Sequence, residues 1–454
     1  MNPRRRPVSQ GPTGLTRRCF LRRAIAHSAI LVVPARVLGR GGQTAPSMRL
    51  NLACIGAGGR GQADLDGVKS EAIVALCDVD ETRAAGALKA FPKAKFFTDY
   101  RRLYDRIESE IDGVVVATPD HTHAVAALGA IRMGKHVYCE KPLAHSLAEV
   151  RALTRAARGA KIITQVGNQG HSSDSIRQFV EMVRAGAIGT VGEIHLWNQN
   201  SYRPRAHRTR PPAGDAPPST LHWDLWLGPA PQRPYHSVYH PGRWRGWVDF
   251  GTGIIGDWTC HQLDPSYWAL DLGSPVSVQA QSEEYDDATV RAETFPAVST
   301  VTYAFPARGE RPPVTVKWFT GRLAPRPQEL EAQRQMPQIG ALVFGDRGTI
   351  MHGSHGAGGA QIIPAERDRA YQRPPQTIPR VPGHYEDWIR ACKEGRAAGS
   401  GFEYGGPLTE VALLGVLAQR FNGQKLEWDA DALKITNHPE ANLWVNPPSR
   451  PGWA

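Results

Sequence analysis

Cysteine is scarce in this chain, with six among 454 residues. No two of them form a C-x-x-C pair, so neither a disulfide framework nor a zinc finger is expected. Cys54, Cys77 and Cys139 fall within or at the ends of apolar, strand-like runs, where a thiol behaves as a small buried hydrophobe. No apolar run reaches the roughly 20 residues that a membrane-spanning helix needs, so no permanent membrane anchor is expected. Internal repeats and long low-complexity tracts are also absent, which argues against solenoids and fibres. Residues 1–48 contain no Asp, Glu or Lys but nine arginines, and the formal charge of the whole chain is +11, so the remainder carries 11 − 9 = +2. The basicity therefore belongs to a leader and makes no case for a nucleic-acid binder.

That leader reads Thr16-Arg17-Arg18-Cys19-Phe20-Leu21 and continues into the mostly apolar run Ala24 to Val33. A charged region, a twin-arginine pair and a short apolar stretch form the pattern of a Tat export signal. It implies an exported or periplasmic protein with the Tat export machinery as a partner; a disordered basic arm is the alternative. Tat moves folded proteins. The mature chain is expected to start near residues 40 to 48.

From Leu50 onward, short apolar runs alternate with amphipathic stretches, the signature of β-α units in a parallel sheet. Strands are predicted at Leu50 to Ile55, Ala72 to Cys77, Gly113 to Thr118, His136 to Cys139 and Lys161 to Val166. Helices are predicted at Gly61 to Val68, Glu81 to Ala90, Ala124 to Met133 and Leu147 to Arg158. After about residue 170 the pattern changes to polar and aromatic loops between separated strands at Glu193 to Asn198, Val276 to Glu283, Val298 to Phe305 and Val314 to Phe319. That spacing suits a mostly antiparallel sheet with helices on one face. Pro204 to Pro218 and Pro364 to Pro382 read as surface loops, and His384 to Lys393 and Leu408 to Phe421 as closing helices. The expected division is a leader at 1–47, a dinucleotide-binding domain at 48–170 and an α/β substrate-binding domain at 171–454.

Gly56-Ala57-Gly58-Gly59-Arg60-Gly61 is a full G-x-G-x-x-G between a strand and a helix. Glycines there keep the turn tight and let the backbone approach a pyrophosphate on the helix N-terminus. Asp78 ends the next strand, 22 residues after Gly56, where a carboxylate accepts hydrogen bonds from the adenosine ribose hydroxyls. Asp78 would also repel a 2′-phosphate, which favours NAD over NADP, although Arg60 is a nearby cation. The fourth strand ends in Ala117-Thr118-Pro119-Asp120-His121-Thr122-His123, at the carboxyl edge where open α/β sheets bind ligands. Val137-Tyr138-Cys139-Glu140-Lys141-Pro142-Leu143 follows on the same edge.

With these residues in place, the sequence resembles the Gfo/Idh/MocA family of glucose-fructose oxidoreductases and inositol dehydrogenases. The resemblance rests on Gly56 to Gly61, Asp78, Thr118-Pro119 with His123, Glu140-Lys141-Pro142, and Gly256-Asp257-Trp258-Thr259-Cys260-His261-Gln262-Leu263-Asp264. It implies a Rossmann domain followed by an α/β domain whose open sheet often forms an oligomer interface, hence a homo-oligomer. It also implies a catalytic Lys141, with a cis bond to Pro142, and an accompanying Asp257 and His261. The elementary chemistry agrees: oxidising a secondary alcohol takes a hydride acceptor on one side of the carbon and a base for the hydroxyl proton on the other. Asp257 and His261 are four residues apart and share a face if the segment is helical. Asp257, His261, Asp264 and His240 can alternatively be read as metal ligands, but no tight ligand signature supports this, and no metal is expected.

Gln165-Val166-Gly167-Asn168-Gln169-Gly170 leaves the last Rossmann strand, and the amides of Asn168 and Gln169 are candidates to hold the nicotinamide end; a plain interdomain turn is the alternative. Trp197 to Trp268 contains seven of the twelve tryptophans, interleaved with hydrogen-bonding side chains. Aromatic faces with donors beside them suit a sugar ring, and Tyr202, His240, Trp244 and Asp264 are the candidates to reach it. The expected activity is NAD-dependent oxidation of a secondary hydroxyl of a sugar, polyol or glycoside, with the cofactor retained because an exported enzyme meets little free NAD. The alternatives are an NAD-dependent glycosidase working by transient oxidation and elimination, and a non-catalytic sugar sensor.

Overall fold

Apolar strands that can be buried on both faces assemble into the first sheet. The computed structural model describes residues 48–204 and 207–453, so the twin-arginine leader lies outside the described residues. Strands β1 (Asn51–Ile55), β2 (Ala72–Cys77), β3 (Lys95–Phe97), β4 (Gly113–Val116), β5 (His136–Cys139) and β6 (Thr164–Val166) pair in parallel in the order β3-β2-β1-β4-β5-β6. β4 reads Gly-Val-Val-Val and is buried throughout, as a central strand covered on both faces must be. The order steps outward in both directions from β1 and β4, which places a crevice outside their carboxyl ends.

The helices between these strands start where their caps say they should. Asp80 caps Glu81–Ala90 through the amides of Thr82 and Arg83, and Ser146 and Glu149 form a capping box on Leu147–Ala160. The helix Arg60–Val68 is different: it follows Gly59 and has no side-chain cap, and its Gly61 and Gln62 amides turn back onto the carbonyls of Gly58 and Gly59 at 3.1 and 3.3 Å.

The second sheet has nine strands: β7 (Val191–Asn198), β8 (Ser277–Ser282), β9 (Ser299–Phe305), β10 (Val314–Thr320), β11 (Ile339–Gly345), β12 (Gly348–His352), β13 (Gln361–Ile363), β14 (Lys425–Asp429) and β15 (Lys434–Ile435). Their order is β13-β12-β11-β7-β10-β9-β8-β14-β15, antiparallel except for the β7–β10 pair. The long helix Phe402–Arg420 packs on β8 and β9 and also touches the Rossmann helix Leu147–Ala160 and the helix Gly253–Gln262. One apolar core therefore runs through both sheets.

The α/β class, the parallel sheet and the mostly antiparallel second sheet match the sequence reading. Elements absent from that reading include β3, the helices Tyr100–Ile107 and Asp174–Arg184, the hairpin β11–β12 with β13, and the pair β14–β15. β3 and β13 are edge strands of three residues, too short to show a period. The second proline-rich stretch is not wholly a loop, because Ala365–Ala370 forms a short helix after Pro364.

Candidate active site

A cleft of about 440 Å³ runs along the carboxyl edge of the Rossmann sheet and is closed on its far side by the second domain. Gly56, Gly58, Gly59, Arg60, Asp78, Thr118, Pro119, His123, Glu140, Lys141 and Gln169 all line it. Gly56 has φ +85°, and a Cβ there would lie 2.7 Å from the Ala117 carbonyl. A Cβ on Gly61 would come within 1.7 Å of the Gly56 carbonyl oxygen, so glycine is what lets the helix pack on the turn.

The first half of the cleft fits a dinucleotide. The amides of Gly58 and Asp80 donate to the two Asp78 carboxyl oxygens at 2.9 and 3.0 Å, fixing the carboxylate at the end of β2. Burial pushes the Asp78 carboxyl up, and these two amides oppose the shift. Arg60 is committed elsewhere: it pairs with Glu140 and with Asp64, each at 3.0 Å, and donates to Tyr385 at 2.6 Å. It is thus part of the wall and no free partner for a 2′-phosphate. Gln169 donates to Glu140 at 2.7 Å and to Tyr138 at 2.8 Å, while the His123 ring lies 2.8 Å from the carbonyls of both Pro142 and Thr118. The buried Thr118 hydroxyl has no partner among the described residues.

At the other end, Lys141 precedes a cis peptide to Pro142 and its ammonium donates to Asp257 Oδ1 at 2.5 Å and to the Asp257 carbonyl at 3.1 Å. Asp257 and His261 are one turn apart on the helix Gly253–Gln262, so both reach the same wall. Tyr202 donates to Asp257 Oδ2 at 2.6 Å and accepts from the Trp258 indole at 3.2 Å. Arg245 lies 3.6 Å from Asp257 Oδ1 and its guanidinium sits 4.2 Å from the centre of the Trp244 ring. Burial opposes ionisation of Asp257, but Lys141 and then Arg245 hold its carboxyl well below the usual range. His261 is held well below the ordinary histidine value by burial first and then by Lys141 and His355, and its Nδ1 has no partner among the described residues. That direction favours the neutral imidazole, and the ring lines the cleft.

Several candidates sit elsewhere than the sequence reading suggests. Asn168 donates to Asp264 at 3.0 Å and accepts from Ser400, and Asp264 also faces His171 at 2.9 Å and accepts from Tyr404 at 2.5 Å. Both are buried, and neither lines the cleft. The helix carrying His261 stops at Gln262, and Asp264 opens the next helix, which turns its carboxylate toward His171. His240 does line the cleft, but 2.7 Å from Asp80 and beside Asp78, at the end away from Lys141. Tyr202 is bonded to Asp257 and does not line the cleft, whereas Trp244 does. His240 is on Asp80 and Asp264 on His171, so the four residues of the alternative metal reading do not converge.

Arg245 and His355 line the cleft and went unread in the sequence, and Trp258, read there only within the motif Gly256 to Asp264, lines it as well. The His355 ring lies 4.2 Å from that of His261, on a loop whose backbone takes φ +51°. It arrives from the hairpin of the second sheet, 94 residues past His261, and no local pattern marks it.

Residues 50–168 match the family model described as the NAD-binding Rossmann fold of the GFO_IDH_MocA oxidoreductase family, and residues 206–304 match that family's C-terminal alpha/beta domain. Both matches are to domains of one oxidoreductase family, Gfo/Idh/MocA, and the Rossmann part is an NAD-binding domain. Among curated proteins it is 35% identical over 164 residues to inositol 2-dehydrogenase 2 of Saccharopolyspora erythraea, covering 35% of this chain and 48% of that one. It is 28% identical over 168 residues to 1,5-anhydro-D-fructose reductase of Ensifer adhaerens, covering 36% of this chain and 39% of that one. The match thus spans about half the length of these relatives or less. Solved structures share the fold over most of the chain. The WlbA dehydrogenase of Bordetella pertussis, in complex with NADH and UDP-GlcNAcA, superposes with a TM-score of 0.59 at 16% identity, over 84% of this chain and all of that one. An inositol dehydrogenase homolog from Azotobacter vinelandii, with NADH and myo-inositol, gives 0.55 at 16% identity over 84% and 98%.

Proposed function

We propose that the protein is an NAD-dependent oxidoreductase acting on a secondary hydroxyl of a sugar or polyol. The observation that carries this reading is the convergence of Lys141, Asp257 and His261 at one end of a cleft whose other end holds the glycine turn and Asp78. NAD, when bound, supplies the acceptor for the hydride of the alcohol carbon. The side chains must deal with the hydroxyl proton. Two contacts to Asp257 orient the Lys141 ammonium and leave it a further N–H to hold the hydroxyl oxygen. His261, kept neutral, accepts the proton. Trp244 and Trp258 offer aromatic faces beside these groups, as a sugar ring requires. The polyol class is supported by the relatives named inositol 2-dehydrogenase and by the neighbour solved with myo-inositol.

The test is to incubate the purified protein with NAD and a panel of polyols and aldoses, myo-inositol included, and follow the ultraviolet absorbance of reduced cofactor. At least one member of the panel reduces NAD, and NAD binds more tightly than NADP because of Asp78. A protein that binds NAD yet oxidises no polyol or sugar contradicts the reading.

Export through the Tat route is supported by Arg17-Arg18 ahead of an apolar run. Replacing both arginines with lysine should hold the precursor in the cytoplasm, and undiminished export of that variant would refute the assignment.

A further inference from the structure

The carboxyl edge of the Rossmann sheet gives the cleft a direction. Lys141 stands after β5 and Asp78 after β2, and the strand next to β2 on its outer side is β3. A dinucleotide with its reactive ring at Lys141 and its adenosine ribose at Asp78 has its base beyond Asp78, among the residues that follow β3. These are Thr98, Asp99 and Tyr100, and all three line the cleft. Trp453 lines it with them, although it comes from the far end of the sequence.

Trp453 is held there by more than its own packing. Its side chain is buried, and the Arg101 guanidinium lies 4.2 Å from the indole centre, itself fixed by Asp99 at 2.7 Å. The Tyr100 ring is 6.4 Å away. Arg450 ties the segment Pro447–Trp453 to the second domain: its guanidinium donates to the Asp224 side chain and to Gln232, each at 2.5 Å, to the Asp224 carbonyl at 2.8 Å and to the Gly228 carbonyl at 2.9 Å. The Arg450 amide adds a bond to the Pro229 carbonyl at 2.9 Å. A strap anchored on the second domain thus brings an indole to the end of the cleft lined by Thr98, Asp99 and Tyr100.

We propose that Trp453 is a cofactor-binding residue, holding the adenine end of NAD, and that the Arg450-anchored strap retards release of the bound dinucleotide. The proposal rests on the reading of the cleft as the NAD site. Adenine offers a flat π-face and the indole a large apolar surface, and one such base–aromatic contact is worth roughly tenfold in binding. Trp453 is far from Lys141 along the sheet, so the strap acts on the residence of the cofactor and not on the proton-handling groups.

The test loads the full protein with radiolabelled NAD, chases with unlabelled NAD and counts the label retained with time. Trp453→Ala and Arg450→Ala should each release label roughly tenfold faster than the parent, while Trp444→Ala, which removes an indole outside the cleft, keeps the parent rate. Arg450→Ala leaves the cleft lining intact, so it decides the matter if Trp453→Ala does not fold. Parent-like release from both variants, or equal acceleration by Trp444→Ala, overturns the proposal. A parent protein that takes up no NAD at all overturns the reading of the cleft instead, and is told apart by that first step.

Discussion

Asp257 is one buried carboxylate facing two cations and a phenol. Lys141, Arg245 and Tyr202 all lean on it, so it sets both the charge balance and the aim of the lysine. Replacing it with asparagine leaves the two cations without their counter-charge in a largely enclosed wall, a change that costs about 3 kcal/mol in comparable buried pairs. Asp257→Asn should therefore lower the urea midpoint and cut NAD reduction on the order of 10²-fold, with NAD affinity little changed. A variant of parent stability and parent rate would show that Asp257 neither balances nor orients Lys141. At this scale the sequence was readable where a motif ties residue to position, as with Gly56, Asp78, Lys141, Asp257 and His261. It gave no sign that Asn168 and Asp264, which adjoin motif residues, lie away from the cleft, bonded to each other and to Ser400, His171 and Tyr404. Arg245 and His355 could not be found, because what brings them to the cleft is the tertiary fold.

The glycine turn between β1 and the helix Arg60–Val68 is the element most sensitive to a single added carbon. An alanine at Gly61 would press its methyl against the Gly56 carbonyl, and the helix must then move off the turn. Since Gly56, Gly58 and Gly59 of that turn line the cleft, Gly61→Ala should weaken NAD binding by at least about tenfold in an equilibrium titration, while far-ultraviolet circular dichroism stays that of the parent. Parent-like affinity would mean that the helix N-terminus is not the pyrophosphate site. Elements with strong periods were legible almost to the residue: Glu81–Ala90 and His136–Cys139 stand where their patterns put them. The three-residue β3 and β13 were not, since their place is set by the neighbour they pair with and not by any pattern of their own.

On the scale of the whole molecule, the site exists because two sheets share a core. Lys141 belongs to the first domain and His261 to the second, and the helix Phe402–Arg420, packed on elements of both, holds their spacing. The fold class and the change from parallel to antiparallel pairing could be read from strand spacing, whereas the way the domains face each other could not. That facing depends on contacts such as Lys141 with Asp257 and His240 with Asp80, which join residues 116 and 160 apart.

The central claim is that Lys141 and His261 work on one hydroxyl. The most direct measurement is single-turnover reduction of bound NAD by an active polyol, in the parent, Lys141→Ala, His261→Ala and the double variant, each shown beforehand to bind NAD. Loss of a positioned proton acceptor typically costs on the order of 10² to 10⁴ in rate. Both single variants should fall into that range, and the double variant should be little worse than either, because groups acting as a unit are not additive. Parent rates in both single variants, or losses that multiply in the double variant, would contradict the account.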